Sequence, residues 1–193
     1  MWRDIKVNRM HEEFDGVVVR LAEKDDAKRI SEYFIKNREY LAPWEPHREE
    51  DFYTQYGWAK KLIKLCELHL LGIGFYCLIL DKESGNMLGT ISFSNITRFP
   101  LHGCFVGYSL DQHAQGKGIM RKALKRACNW MFKTQNMHRI SASYMPSNQK
   151  SAAVLASVGF EEEGFAKDYL LIKGKWEDHK LTSLINSKWL EKK

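Results

Sequence analysis

The chain has 193 residues, 44% of them hydrophobic and 28% charged, with a formal net charge of +6. That length suffices for one substantial core, and the proportions are those of a soluble globular protein. No apolar run nears the ~20 residues that cross a bilayer, because LHLLGIGFYCLIL is broken by His69, Gly72 and Gly74.

The opening stretch MWRDIKVNRMHEEFDG is too polar for a secretory signal, so a cytoplasmic location is expected. Residues 16–22, GVVVRLA, read as a first strand rich in β-branched side chains. Between 25 and 40, Ala27, Ile30, Tyr33, Phe34 and Asn37 recur at helical spacing. LAPWEPHRE ends that helix, since Pro43 and Pro46 cannot sit inside one without losing hydrogen bonds. A second helix is expected over about 51–71. IGFYCLIL and MLGTISFSNI follow as strands joined by the turn DKESGN, and CFVGYSL is a fourth.

After that strand, DQHAQGKG places two glycines around a lysine at the start of a helix. Ile119, Met120, Ala123, Leu124, Ala127, Cys128 and Met131 form its buried face, which leaves Lys122, Lys125, Arg126 and Lys133 outside. HRISASYM is a fifth strand. PSNQKSAAVLASVGF is a short helix, with Pro146 and Ser147 or Asn148 near its start and Gly159 beyond its end. GFAKDYLLI, KGK and WEDHKLTSLI close the chain as an antiparallel hairpin. Together these predict one domain over 1–193 with its core at about 17–185. Its fold class is α/β (α+β): a largely antiparallel mixed sheet of about seven strands.

Four cysteines, Cys66, Cys77, Cys104 and Cys128, lie in apolar segments without a C-x-x-C pair, and are expected as buried free thiols. The histidines are equally scattered, so no metal is expected. The glycine turn has two readings. It is a simple backbone bend, or it bares main-chain N–H groups at a helix start, where a phosphate binds. A dinucleotide fold does not fit, because strands of antiparallel type precede the glycines. A P-loop does not fit either, since Ile119 and Met120 stand where Ser/Thr would hold magnesium. The basic run Lys117, Arg121, Lys122, Lys125 and Arg126 favours an anionic ligand.

HAQGKGIMRKAL followed by NQKSAAVLASVGF resembles the acetyl-CoA-binding core of the GNAT superfamily of N-acetyltransferases, and the element order extends the likeness over nearly the whole chain. LAPWEP, YMPSN and GFAKDYLLIKGKWEDH are most similar to the RimJ-type ribosomal-protein-alanine N-acetyltransferases. One departure is His113, where the family turn starts with Gln or Arg.

The resemblance implies helices on both faces of the sheet and a splay between the fourth and fifth strands. It implies acetyl-CoA as cosubstrate, with its diphosphate on the amides of Gln115, Gly116, Lys117, Gly118 and Ile119. The pantetheine arm would meet Tyr108, Ser109 and Leu110, with Asn148 and Ser151 near the thioester. Asn148 is equally readable as a helix cap, and Ser151 as an exposed first-turn residue.

The expected reaction is direct attack by an amine in a ternary complex, since no cysteine has the setting of a nucleophile. An N-terminal amine, with pKa near 8, is roughly a tenth neutral at pH 7; a lysine needs about 4–5 kcal/mol of help. A chain without an obvious strong base therefore suits protein N-termini, and the resemblance names a ribosomal protein beginning with alanine. Asp168 and Tyr144 are candidate proton-handling groups, beside a water relay. Trp44 and Glu45, held between prolines, are candidate acceptor-binding residues, whereas Tyr40, Phe52, Tyr53, Tyr56 and Trp58 line a groove or pack a helix corner. Two alternatives remain: an RNA- or ribosome-binding module without turnover, and a small-amine acetyltransferase using Glu49, Glu50 and Asp51.

Overall fold

The computed structural model describes residues 9–190; the first eight residues of the opening stretch lie outside them. Its eight strands form one sheet in the order β1-β2-β3-β4-β5-β6-β8-β7. They are β1 (His11–Phe14), β2 (Val17–Leu21), β3 (Phe75–Asp81), β4 (Met87–Thr97), β5 (Gly103–Leu110), β6 (Arg139–Tyr144), β7 (Glu161–Ile172) and β8 (Lys175–Ile185). The count is eight rather than about seven because His11–Phe14 pairs antiparallel with Val17–Arg20 as an edge strand.

The helices are α1 (Ala27–Lys36), α2 (Arg38–Leu41), α3 (Gln55–Leu71), α4 (Ile119–Lys133) and α5 (Gln149–Val158). The helix expected over 25–40 breaks at Asn37, and the one expected from 51 begins at Gln55 after a 3-10 turn, Glu50–Tyr53. Thr54 sets that start, its Oγ1 accepting the Gly57 N–H at 3.0 Å. No helix among the described residues is long and apolar enough to cross a membrane.

Strand alternation sends successive side chains to opposite faces, so the sheet divides the core in two. Val17, Val19, Ile79 and Ile91 meet Leu124 and Met131 of α4 and Leu155 of α5. Leu78 and Leu80 meet Ile30 and Phe34 of α1 and Trp58 and Leu62 of α3 on the other face. Cys77, Cys104 and Cys128 are buried free thiols, and burial pushes Cys77 and Cys104 up to about 12. Cys66, expected to be buried, is only half-buried.

All strand pairs but one are antiparallel. The parallel pair is β5–β6, and it lasts only from Gly103–Arg139 to Phe105–Ser141. Beyond Phe105, β5 stays with β4 and β6 stays with β8. The sheet is thus slit between its fourth and fifth strands of the sequence reading, which are β5 and β6.

Candidate functional site

The slit runs toward the starts of α4 and α5, which follow β5 and β6. On the β5 side, Asp111 N donates to Leu88 O at 2.7 Å, which fixes the phase of the ladder with β4. In an antiparallel pair every second residue turns its N–H and C=O to the neighbour, and those between turn them away. Ser109 and Gly107 therefore face β4, and Tyr108 and Leu110 direct their main-chain groups into the slit. The Ser109 hydroxyl instead joins Tyr33 Oη at 2.9 Å and Thr90 Oγ1 at 3.0 Å, on the α1 side of the sheet.

At the end of the slit lies the glycine turn. Gly116 and Gly118 have φ of +75° and +70°, a region that strains other residues. A Cβ built on either one meets nothing within 4 Å, so no packed neighbour demands glycine there. The bend reading accounts for the backbone angles, and the open space in front leaves room for a ligand. Among the described residues, the main-chain N–H groups of Gln115, Gly116, Lys117, Gly118, Ile119, Met120 and Arg121 donate to no protein acceptor. The first return bond of α4 is Lys122 N to Gly118 O at 3.2 Å. Such a row of unpaired donors at a helix start, with the dipole behind it, suits a diphosphate.

The turn is held from three directions, none of them foreseen from the sequence. Asp111, 3% exposed, accepts His113 N at 2.8 Å and an ion pair from Lys36 Nζ at 2.6 Å. Burial works to raise its carboxyl, but Lys36 and the His113 amide hold it below the ordinary range. Asn37, wholly buried, donates to Tyr33 O at 3.0 Å and Asp111 Oδ2 at 3.2 Å, and accepts Gln112 N at 3.2 Å. The Gln115 side chain donates to Tyr40 Oη and accepts Lys150 Nζ at 2.8 Å. His113 is exposed and touches only Gln112 through its ring, so the amides form the turn without it.

Across the slit, Asn148 caps α5: its Oδ1 accepts Ser151 N at 3.1 Å. Its Nδ2 has no partner among the described residues. Ser151 Oγ lies 2.9 Å from Tyr108 Oη, which also donates to Ser151 O at 3.2 Å. Burial pushes the Tyr108 hydroxyl well above its usual range. Tyr108, Asn148 and Ser151 thus come together at one end of the slit.

The structure does not bring Asp168 to them. It is an exposed residue with φ +47° in the bulge of β7, its N–H held by Asp178 Oδ1 at 2.9 Å. β7 is two strands from β6, about 10 Å across a sheet. Tyr144 stands on the α4–α5 face, with Oη 3.4 Å from Glu162 Oε2. Burial, then the Glu162 charge, raises its hydroxyl.

On the opposite face, Trp44 ends the 3-10 turn Ala42–Trp44 and Glu45 follows it, both half-buried. Glu45 pairs with Arg48 Nε at 3.5 Å. Burial raises its carboxyl, and Arg48 and Lys61 pull the other way. Burial and the Arg48 charge push the Lys61 ammonium down to about 8, although solvent reaches that residue. Phe52 and Trp58 form the packed corner, with Trp58 stacked on Phe34 at 5.4 Å, while Tyr56 is exposed. Glu45 and Arg48 line a cavity of about 130 Å³ with Leu41, Pro46 and Lys173, the last from the β7–β8 tip. Among the described residues no group of three or more His, Cys, Asp or Glu is placed to hold a metal.

A family model described as an acetyltransferase (GNAT) domain matches residues 17–161. The ribosomal protein uS5-alanine N-acetyltransferase of Escherichia coli (strain K12) is 46% identical over 175 residues, covering 91% of this chain and 90% of that protein. A solved ribosomal-protein-S5-alanine acetyltransferase from Vibrio fischeri shares 53% identity at a TM-score of 0.93, over 94% of this chain and 100% of that one. RimJ of Mycobacterium smegmatis, solved with CoA-disulfide, shares 30% identity at a TM-score of 0.83, over 91% and 84%.

Proposed function

The chain belongs to the GNAT acetyltransferases, and from that premise we propose that it transfers acetyl from acetyl-CoA to the N-terminal α-amine of a ribosomal protein beginning with alanine. The observation that carries the reading is the row of unpaired amides from Gln115 to Arg121, set at the mouth of a slit that opens after Phe105. The open space before Gly116 and Gly118 fits a diphosphate, and the N–H and C=O groups of Tyr108 and Leu110 fit the amides of a pantetheine arm. Relatives named for an alanine N-terminus of a ribosomal protein support the acceptor.

In this reading acetyl-CoA supplies the activated acetyl group, and the chain orients it. The amine loses a proton, its nitrogen forms a bond to the thioester carbon, and the C–S bond breaks. The departing thiolate takes a second proton as the amide forms. A slit-facing N–H of β5 lies where the thioester oxygen gathers charge. Ser151, with Tyr108 and Tyr144 nearby, serves the thiolate side, and Asn148 Nδ2 faces the arm. Trp44 and Glu45 bind the acceptor. Asp168, distant from the slit, serves as a surface contact for the protein substrate rather than as the base, and water carries the first proton away. The domain spans 1–193 with its core at 17–185, and its place of action is the cytoplasm.

The test is acetyl-CoA with a panel of peptides differing at the first residue, with products located by mass spectrometry. Acetyl on the α-amine of the alanine peptide is expected. Acetyl confined to internal lysine overturns the reading.

A small-amine acceptor is disfavoured because two of the three acids offered for it are neutralised: Glu50 pairs with Arg38, and Asp51 with Lys60 at 3.3 Å. Ribosome or RNA contact accompanies catalysis in our reading. On α4, Lys122 and Arg126 are paired to Asp15 and Glu12, whereas Lys117, Arg121 and Lys125 have no acidic partner among the described residues. Three phosphate contacts would give a slope of log K against log salt near −2 to −3. Flat salt dependence of ribosomal-particle binding would exclude them.

A further inference from the structure

On the acceptor side Arg48 Nε and Trp58 Nε1 are buried donors without a partner among the described residues, and of the two only Arg48 carries a charge. Its Nε is shut off from solvent, about a third of the side chain is exposed at 34%, and the guanidinium makes no hydrogen bond among the described residues. The nearest carboxylate oxygen, Glu45 Oε2, is 3.5 Å away, close enough for charge attraction but too far for a good hydrogen bond.

The guanidinium rests on an aromatic ring. Its carbon lies 4.7 Å over the Phe52 ring, and Phe52 is itself packed on Phe34 at 4.7 Å and Trp58 at 5.1 Å. Stacking fixes the plane of the fork, and arginine does not shed its proton to escape burial. A cationic guanidinium whose terminal N–H groups have no hydrogen-bond partner among the described residues therefore stands beside a carboxylate, and both residues line the same small cavity.

An N-terminal residue carries an amine and a carbonyl oxygen on either side of one carbon. A carboxylate and a donor 3.5 Å apart can each take one of them. A lysine ε-amine or a polyamine has no carbonyl there, and would leave the donor unmatched. Sites built around a hydrogen bond discriminate strongly against ligands lacking it, because the buried protein group stays unpaired.

We propose that Arg48 donates to the carbonyl oxygen of the acceptor's first residue while Glu45 receives its amine, and that this pairing confines the enzyme to peptide N-termini. The inference rests on the transferase reading above and deepens it. Arg48 binds substrate and takes no part in bond making.

The test pairs an alanine-initiated peptide with its analogue in which the first carbonyl oxygen is replaced by sulfur, a weaker acceptor. Both are assayed with wild type and with Arg48→Met, which keeps an unbranched apolar side chain over Phe52 without the donors. Wild type should lose about tenfold in kcat/KM on the sulfur peptide. Arg48→Met should lose tenfold or more on the ordinary peptide, mostly in KM, and should no longer distinguish the two. Its acetyl-CoA affinity by calorimetry should match wild type. Equal rates of wild type on both peptides overturn the proposal whatever the variant does, as does undiminished discrimination by Arg48→Met. Wild type that binds acetyl-CoA yet acetylates no α-amine instead sinks the transferase reading itself.

Discussion

Gly118→Trp should weaken acetyl-CoA binding at least 100-fold, about 2.7 kcal/mol, as read by isothermal titration calorimetry. The substitution has two effects, one on folding stability and one on binding. The first is strain: Gly118 sits at φ +70°, where an L side chain costs about 1–2 kcal/mol. The second is occlusion, since the indole would occupy the space in front of the unpaired amides, and hydrogen bonds to a charged group are worth about 1.5–3 kcal/mol each. Gly118→Ala separates the two. Its Cβ meets nothing within 4 Å, so it carries the strain and little of the occlusion. The alanine variant should lower Tm by several degrees and bind within about tenfold of wild type. If both variants bind equally well, the amides are not the phosphate site.

The second large effect is expected at Asn37. Its side chain is bonded at once to α1, to Asp111 and to the amide of Gln112. Asn37→Leu removes both donors and the acceptor while filling the volume. The Gln112 N–H loses its partner outright, and Asp111 Oδ2 keeps only Lys36. At about 1–3 kcal/mol for each stranded buried group, unfolding free energy should fall by about 2–4 kcal/mol. For a chain of this size that lowers Tm by about 5–15 °C. Acetyl-CoA affinity should drop as well, because Asp111 and Gln112 lead into the glycine turn. Thermal denaturation with and without acetyl-CoA measures both. A variant with wild-type Tm would show that Asn37 holds nothing. The same network has a pH signature of definite sign. Asp111 is held below its unfolded value near 3.9, so its contribution is full above that value and is lost as pH falls through the folded one.

Much of this was legible beforehand because it is periodic. The α4 stripe of Met120, Ala123, Leu124, Ala127 and Met131 is buried as its spacing required. The turn at Lys173 and Gly174 joins β7 and β8 as KGK suggested. β1 escaped because HEEF is mostly polar, with glutamates at two of its four positions, as edge strands tend to be. Its signal was the Asp15–Gly16 pair, an ordinary hairpin dipeptide with positive φ at both positions. The phosphate turn was read from glycine spacing, but its supports were not, since Asn37, Tyr40 and Lys150 are distant in sequence from Asp111 and Gln115 and share no period with them. Arg48 was equally hidden: a missing hydrogen bond leaves no mark on a string of letters.

The sheet also acts as a partition. The elements proposed to receive the acceptor pack on one side and those proposed to grip the thioester carrier on the other, so each inherits a separate core. Libraries that shuffle the segment 42–53 should therefore redirect the enzyme toward new amines without disturbing nucleotide affinity, provided Lys36, Asn37 and Tyr40, which tie the two sides together, are left in place. Evolution has the same freedom: a lineage can exchange clients by rewriting a dozen positions on one side while the machinery opposite stays as it was.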